Sequence, residues 1–360
     1  MVLKRIGHCM KKNIERYYKF GGTDNRELIN SCITNCIYTI LQIEKINNPI
    51  MYLDCSLCFC LKRDDNSLLG YSYSCEREIL ITEYSERVIE HNNLDYYDYD
   101  YYSYEELWET HKHNLKENKP IVLLCDLYYL DYYKNINKQH RLHGIIAYDI
   151  DEINETLQII DNGSQFYNGP ITMEVFKRAW CSEYFDNMNL LENEIPSNKV
   201  WFEVVTDNWI EYNYQRIYQI NLYKTIKYYY GSGEGKNILA GLVGLELLLQ
   251  RFQLCYRNGM NMEVVLKELK DILFEVINRK KLNRLFLCSS YKEVPNVKLD
   301  SYISLLENDL VVWNGLYNLV LKGMVGFNER IFNKIENKYI VCLSNERSRE
   351  KLLKEIFDNC

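Results

Sequence analysis

The hydrophobic period of the chain changes once, near residue 200, and that switch bounds what it can fold into. Before it, short apolar runs alternate with polar loops; after about Asp207 the spacing turns helical and stays so. Runs at 51–61, 69–74, 120–126, 144–150 and 156–160 read as strands. The last two face each other across the polar turn Asp151-Glu152-Ile153-Asn154-Glu155, which predicts an antiparallel hairpin. Helical spacing appears at 32–46, with Ile33, Cys36, Ile37, Ile40 and Leu41 on one side, and again at 104–117. A final strand is expected at 200–205, then helices at 209–230, 237–256, 262–282, 300–321 and 351–357. The expected fold class is therefore α+β, an antiparallel sheet followed by an all-helical part, with domains 1–206 and 207–360.

Composition narrows the function classes. The net charge is −7, from 43 basic and 50 acidic residues. A chain built to grip nucleic acid phosphates is usually basic, so nucleic acid is not an expected partner. No stretch reaches the roughly 18 apolar residues of a membrane span, so no membrane partner is expected. There are 13 cysteines, yet Met1-Val2-Leu3-Lys4-Arg5-Ile6-Gly7-His8 has no apolar run behind its basic residues. Thiols in a reducing cytoplasm are expected rather than a disulfide framework.

Three residues carry the sharpest chemical signal. Cys32, in Ser31-Cys32-Ile33-Thr34-Asn35-Cys36, opens a predicted helix. Unsatisfied N–H groups and the positive dipole end favour a thiolate there, and first-turn N–H groups can hold an oxyanion. Cys36, one turn on, points to the apolar side and reads as core. His143 stands at the entrance of a predicted strand, and Asp161 ends the next one. In an antiparallel hairpin those two ends lie side by side. A nucleophilic thiol needs an imidazole to take its proton and a carboxylate to orient that imidazole.

Other segments carry less. Asp54-Cys55-Ser56-Leu57-Cys58-Phe59-Cys60 contains a Cys-x-x-Cys pair, but its alternation reads as a packed strand and no second pair exists, so no metal is expected. Cys55 is a rival nucleophile that lacks a helix N-terminus. Gly231-Ser232-Gly233-Glu234-Gly235-Lys236-Asn237 has the wrong glycine spacing for a phosphate loop and reads as a turn between helices. Asp95-Tyr96-Tyr97-Asp98-Tyr99-Asp100-Tyr101-Tyr102 is an acidic, aromatic surface loop. His111 and His113 lie on a charged helix and are expected to be solvated.

The order Cys at a helix start, His at a strand start, Asp at the end of the next strand is that of papain-like cysteine enzymes. The C-x-x-x-C pair is similar to bacteriocin-processing peptidases that cut double-glycine leaders. Lys119-Pro120-Ile121-Val122 through Asp126-Leu127-Tyr128-Tyr129-Leu130, His140-x-x-His143-Gly144, Tyr148-Asp149, Ile160-Asp161 and Gly241-Leu242-Val243-Gly244-Leu245-Glu246-Leu247 together resemble the butirosin-type acyltransferases. Relatives of that group include the papain-like transacylase of closthioamide-type thiotemplated peptide assembly. The resemblance spans about residues 20–260. It implies Cys32 as nucleophile, His143 as base and acid, and Asp161 as orienting group. It implies an acyl or peptidyl donor on the phosphopantetheine of a carrier protein, a small amine as acceptor, and no cofactor of the enzyme's own. The peptidases carry glutamine six residues before the nucleophile, where this chain has Arg26 beside Asn25, and glycine after it, where this chain has Ile33. A cysteine peptidase with the same triad, or a binding protein on this fold without the chemistry, are the alternative readings.

Overall fold

The computed structural model describes residues 32–53, 57, 60–74, 104–133, 140–162, 166–185, 201–203, 214–230, 238–293 and 297–358. They divide into two units: 32–49 with 104–203, and 50–74 with 214–358.

The first unit is built on a five-stranded antiparallel sheet. Its strands are β3 (Ile121–Asp126), β4 (Leu142–Asp151), β5 (Thr156–Asp161), β6 (Tyr167–Thr172) and β7 (Trp201–Glu203), in the order β6-β5-β4-β3-β7. On β3, Ile121, Leu123 and Cys125 join Ile145, Ala147, Leu157 and Ile159 in one core, with Trp108, Leu115, Phe176 and Trp180 from helices α2 (Tyr104–Lys116) and α3 (Met173–Trp180). Val122 and Leu124 are buried as well, so β3 is covered on both faces. That explains its unbroken apolar run, and each such side chain contributes about 1.5–3 kcal/mol. A bulge between Ala147 and Asp149 shifts the β4–β5 register. Thr172 caps α3 by accepting from the Val175 N–H at 3.2 Å, and Glu174 and Lys177 suit the two ends of its dipole.

Helix α1 (Cys32–Ile43) buries Cys36, Ile37, Ile40 and Leu41, the predicted apolar side. It stops at Lys45, whose φ of 58° is left-handed, with the Ile46 N–H closing on the Leu41 carbonyl at 2.9 Å. The helix packs against β4.

The second unit joins a three-stranded sheet to helices. The order is β2-β1-β8, from β1 (Cys60–Arg63), β2 (Tyr71–Ser74) and β8 (Ile238–Ala240). Helix α4 (Tyr214–Thr225) runs into a π-turn at Ile226–Tyr230; α5 (Gly241–Arg257), α6 (Met262–Glu293), α7 (Val297–Val325) and α8 (Glu329–Phe357) follow. The β1–β2 turn is pinned by Glu268 of α6, which accepts from Ser67 Oγ at 2.9 Å and the Leu68 and Leu69 N–H groups at 3.1 and 3.0 Å. Among the described residues no helix is long and apolar enough to cross a membrane.

The α+β class with its antiparallel sheet and helical C-terminal part is as the sequence implied. Several local expectations differ. Of the strand expected at 51–61, residues 51 and 52 close a 3₁₀ turn (Pro49–Tyr52) that follows left-handed Asn48 (φ 48°), and Cys60 and Leu61 open β1, while 54–56 and 58–59 lie outside the described residues. The helix expected from 237 starts at Gly241; residues 238–240 instead pair with β1. Gly241 has φ 52°, and a Cβ there would run into the Tyr229 carbonyl, so only glycine fits. Helix α6 runs on to Glu293, and 351–357 is only the end of α8, which starts at the Asn328 cap. Strand β6 and helix α3 were not foreseen. The division also departs from 1–206 and 207–360 at residues 50–74, which pack with the helices through the β1–β8 pairing and Glu268.

Candidate active site

Cys32, His143 and Asp161 all lie in the first unit, on α1, β4 and the end of β5. The antiparallel pairing of β4 with β5 brings the second pair together: His143 Nε2 lies 2.8 Å from Asp161 Oδ2. The Asp161 side chain is fully buried, and that of His143 is 14% exposed. Cys32, the first residue of α1 and partly buried, is within hydrogen-bond reach of His143. Since Nε2 faces Asp161, Nδ1 is the ring nitrogen left to meet the sulfur.

Burial alone would lower the His143 pKa. The hydrogen bonds with Asp161 and Cys32, and the charges of both groups, outweigh it and raise His143 to about 10. A protonated His143 in turn favours a thiolate at Cys32, as does the helix N-terminus. The arrangement can therefore hold a thiolate–imidazolium pair oriented by a carboxylate.

Two polar side chains one turn apart on α1 fix the helix against the strand end. Asn35 Nδ2 donates to the Asn162 carbonyl at 3.4 Å, and Asn162 Nδ2 donates to Thr39 Oγ1. Asn162 directly follows Asp161, so the helix carrying the sulfur is tied to the strand carrying the carboxylate. Cys36 and Cys125 are buried, which pushes both thiols well above their ordinary value and keeps them protonated.

Sequence reasoning missed two neighbours of the dyad. Tyr132 Oη donates to Asp161 Oδ2 at 2.9 Å, and Tyr133 Oη lies 3.2 Å from His143 Nε2. The Tyr-rich run after β3 was visible, but among 32 tyrosines it did not stand out.

A second histidine near the same sheet edge has a different setting. His140 Nδ1 lies 2.7 Å from Asp126 Oδ2, which also accepts from Ser182 Oγ at 2.7 Å. The imidazole is stacked between Tyr128 and Tyr184, each with ring centroids 4.3 Å away. Here the hydroxyl gives its proton to the carboxylate and not to the imidazole, so no activated serine results. His111 corrects the expectation of a solvated residue: it is fully buried against Trp108 and Trp180, and burial lowers its pKa to about 3. Cys55, Asn25, Arg26, the 95–102 loop and the 231–237 turn lie outside the described residues.

The fold and site thus define an α+β protein in which a helix-terminal cysteine, a histidine and an aspartate meet at one end of an antiparallel sheet. Residues 40–162, about a third of the chain, are similar to the family model described as butirosin biosynthesis protein H, N-terminal. The matched segment contains His143 and Asp161 and begins after Cys32. No curated protein matches the chain significantly.

Proposed function

We propose that the protein transfers an acyl or short peptidyl group from a carrier-protein thioester to a small amine, through an acyl-enzyme on Cys32. The observation that carries this reading is the convergence of Cys32, His143 and Asp161, with His143 held protonated between the other two.

In the first half-reaction the Cys32 thiolate attacks the thioester carbonyl, and a new C–S bond forms. First-turn N–H groups of α1 stabilise the oxyanion. Its collapse breaks the bond to the carrier's phosphopantetheine sulfur, which leaves as a thiol with the proton from His143. One thioester replaces another, so the step is nearly balanced. In the second half-reaction the amine attacks the acyl-enzyme, His143 accepts its proton, and Cys32 leaves as a thiolate. The products are an amide and the free carrier thiol. The scheme calls on no metal or redox cofactor. Its expected setting is a reducing cytoplasm.

Incubation with a carrier-bound acyl chain, with and without an amine, tests the proposal. Amide product supports transfer, and free acid alone favours a thioesterase. A peptidase would use the same three residues, and would cut a peptide bond without any carrier. Intact mass of the acyl-enzyme, lost in Cys32→Ala, tests the nucleophile. An adduct that survives Cys32→Ala but disappears in Cys55→Ala would move the site. No adduct on any cysteine would leave a binding protein.

A further inference from the structure

Asp161 and His143 are each met by a tyrosine hydroxyl, and the two tyrosines are adjacent in the chain. Tyr132 donates to Asp161 Oδ2, the same oxygen that faces His143 Nε2. Tyr133 Oη lies 3.2 Å from that same Nε2. Four groups therefore converge within hydrogen-bond distance around one N–H···O bond. The tyrosines are themselves fixed. The Tyr132 ring stacks on Tyr167 of β6, with centroids 4.2 Å apart and planes 7° from parallel. Tyr133 is 4% exposed and meets the His143 ring edge-on, at 5.6 Å and 82°.

We propose that Tyr132 and Tyr133 are positioning residues that hold the Asp161–His143 pair from opposite electrostatic sides. The inference rests on reading Cys32, His143 and Asp161 as the working site. The physical argument is one of donors and acceptors. A hydroxyl that donates to a carboxylate oxygen withdraws part of its negative charge. Tyr132 therefore weakens the pull of Asp161 on the His143 proton. Tyr133 acts in the other sense. With the Nε2 proton directed to Asp161, the tyrosine oxygen meets Nε2 as a second acceptor of a shared bond, which favours the protonated ring. Opposed in this way, the pair fixes the ring plane and keeps Nδ1 aimed at Cys32, without committing the proton to either neighbour.

Among the described residues, the other titratable groups around the pair are these. From α1 these are Cys32 and Cys36, and from β3 Cys125; burial keeps Cys36 and Cys125 uncharged. On β6, Tyr167 has Asp131 as its charged neighbour, and burial together with that charge raises the Tyr167 hydroxyl. The Tyr132 hydroxyl is itself raised, by burial first and then by Asp161, so it stays a donor across the working range.

The test is the titration of the His143 ring in the full-length protein, followed by NMR and assigned by loss of the signal in His143→Gln. Tyr132→Phe should move the titration up by about half to one unit, and Tyr133→Phe should move it down by a similar amount. Opposite signs are the signature, because a merely structural loss at two adjacent residues has no reason to give them. Titrations that stay put in folded variants, or that move in the same direction, overturn the proposal. Should Tyr132→Phe not fold, 3-fluorotyrosine at position 132 serves instead. Its stronger donor should lower the His143 titration, and an unmoved value there is equally fatal. Intact-mass detection of the Cys32 acyl adduct runs alongside. Loss of that adduct with the opposed shifts intact would refute the acyl-transfer reading and leave the clamp standing.

Discussion

Replacing Asp161 by Asn isolates the part of the site that is charge rather than geometry. Asparagine has nearly the same shape, and its carbonyl oxygen can still accept the Nε2 proton at the 2.8 Å position. What it removes is the negative charge. With charge centres about 4 Å apart and an effective dielectric of about 20, that attraction is about 4 kcal/mol, or about three pKa units. His143, raised to about 10 in the native protein, should therefore titrate near 7 in Asp161→Asn. The thiolate loses its cationic neighbour over the same range. At pH 8 His143 is then about ten to one neutral in the variant and still protonated in the native protein, so alkylation of Cys32 by iodoacetamide should fall severalfold there, match the native rate below about pH 6, and recover above the ordinary thiol range. The assays are the ring titration by NMR and the pH profile of alkylation, with mass spectrometry confirming position 32. A folded Asp161→Asn protein in which His143 still titrates near 10 would refute the reasoning, since the carboxylate could not then be what holds the proton.

Two further outcomes concern stability. His111 has a folded pKa of about 3 against an ordinary 6.5, so the unfolded chain binds more protons between those values and stability falls as the pH drops through that window. Between pH 6.5 and 5 the loss is about 1.6 kcal/mol, and His111→Phe should abolish it in urea melts at the two pH values. In the helical unit, Lys280, Asp309, Glu346 and Arg349 form a fully buried network, with Trp313 Nε1 donating to Glu346 at 3.0 Å. Glu346→Gln leaves two buried cations with one anion and should cost about 3–5 kcal/mol by chemical denaturation; a cost under 1 kcal/mol would show that the network is not desolvated as the structure has it.

The fold was legible wherever a local period decided the structure. The β4–β5 hairpin announced itself through two apolar runs around a polar turn, and α1 through its 3.6-residue stripe. Legibility failed where a long-range partner decided. Ile238-Leu239-Ala240 continues the apolar pattern of α5, and nothing local marks it as a strand. Its conformation is set by pairing with β1, some 180 residues away in the chain, and by the left-handed Gly241 that separates it from the helix. The same pairing moved residues 50–74 out of the sheet unit to which their position in the sequence assigned them. His111 failed for a related reason: the charged residues around it on α2 gave a solvated pattern, while Trp108 and Trp180 closed over the ring from two elements.

The candidate site divides along the same line. Cys32, His143 and Asp161 could be read from the sequence because each sits at an element end, and antiparallel topology fixes which ends meet. Asn35, Thr39, Tyr132 and Tyr133 could not, because their place depends on side chains crossing between elements. The distinction bears on chemistry. A cysteine at a helix start and a histidine at a strand start are each common, and neither is reactive for that reason alone. In the proposed triad the element ends are held in register by Asn162, which ties α1 to β5, and by two tyrosine hydroxyls that close on one N–H···O bond. A chain that had kept the three residues and lost those supports would have the same sequence signal and a far less ordered dyad. The supports, more than the triad itself, are therefore what a substitution series on this protein has to probe.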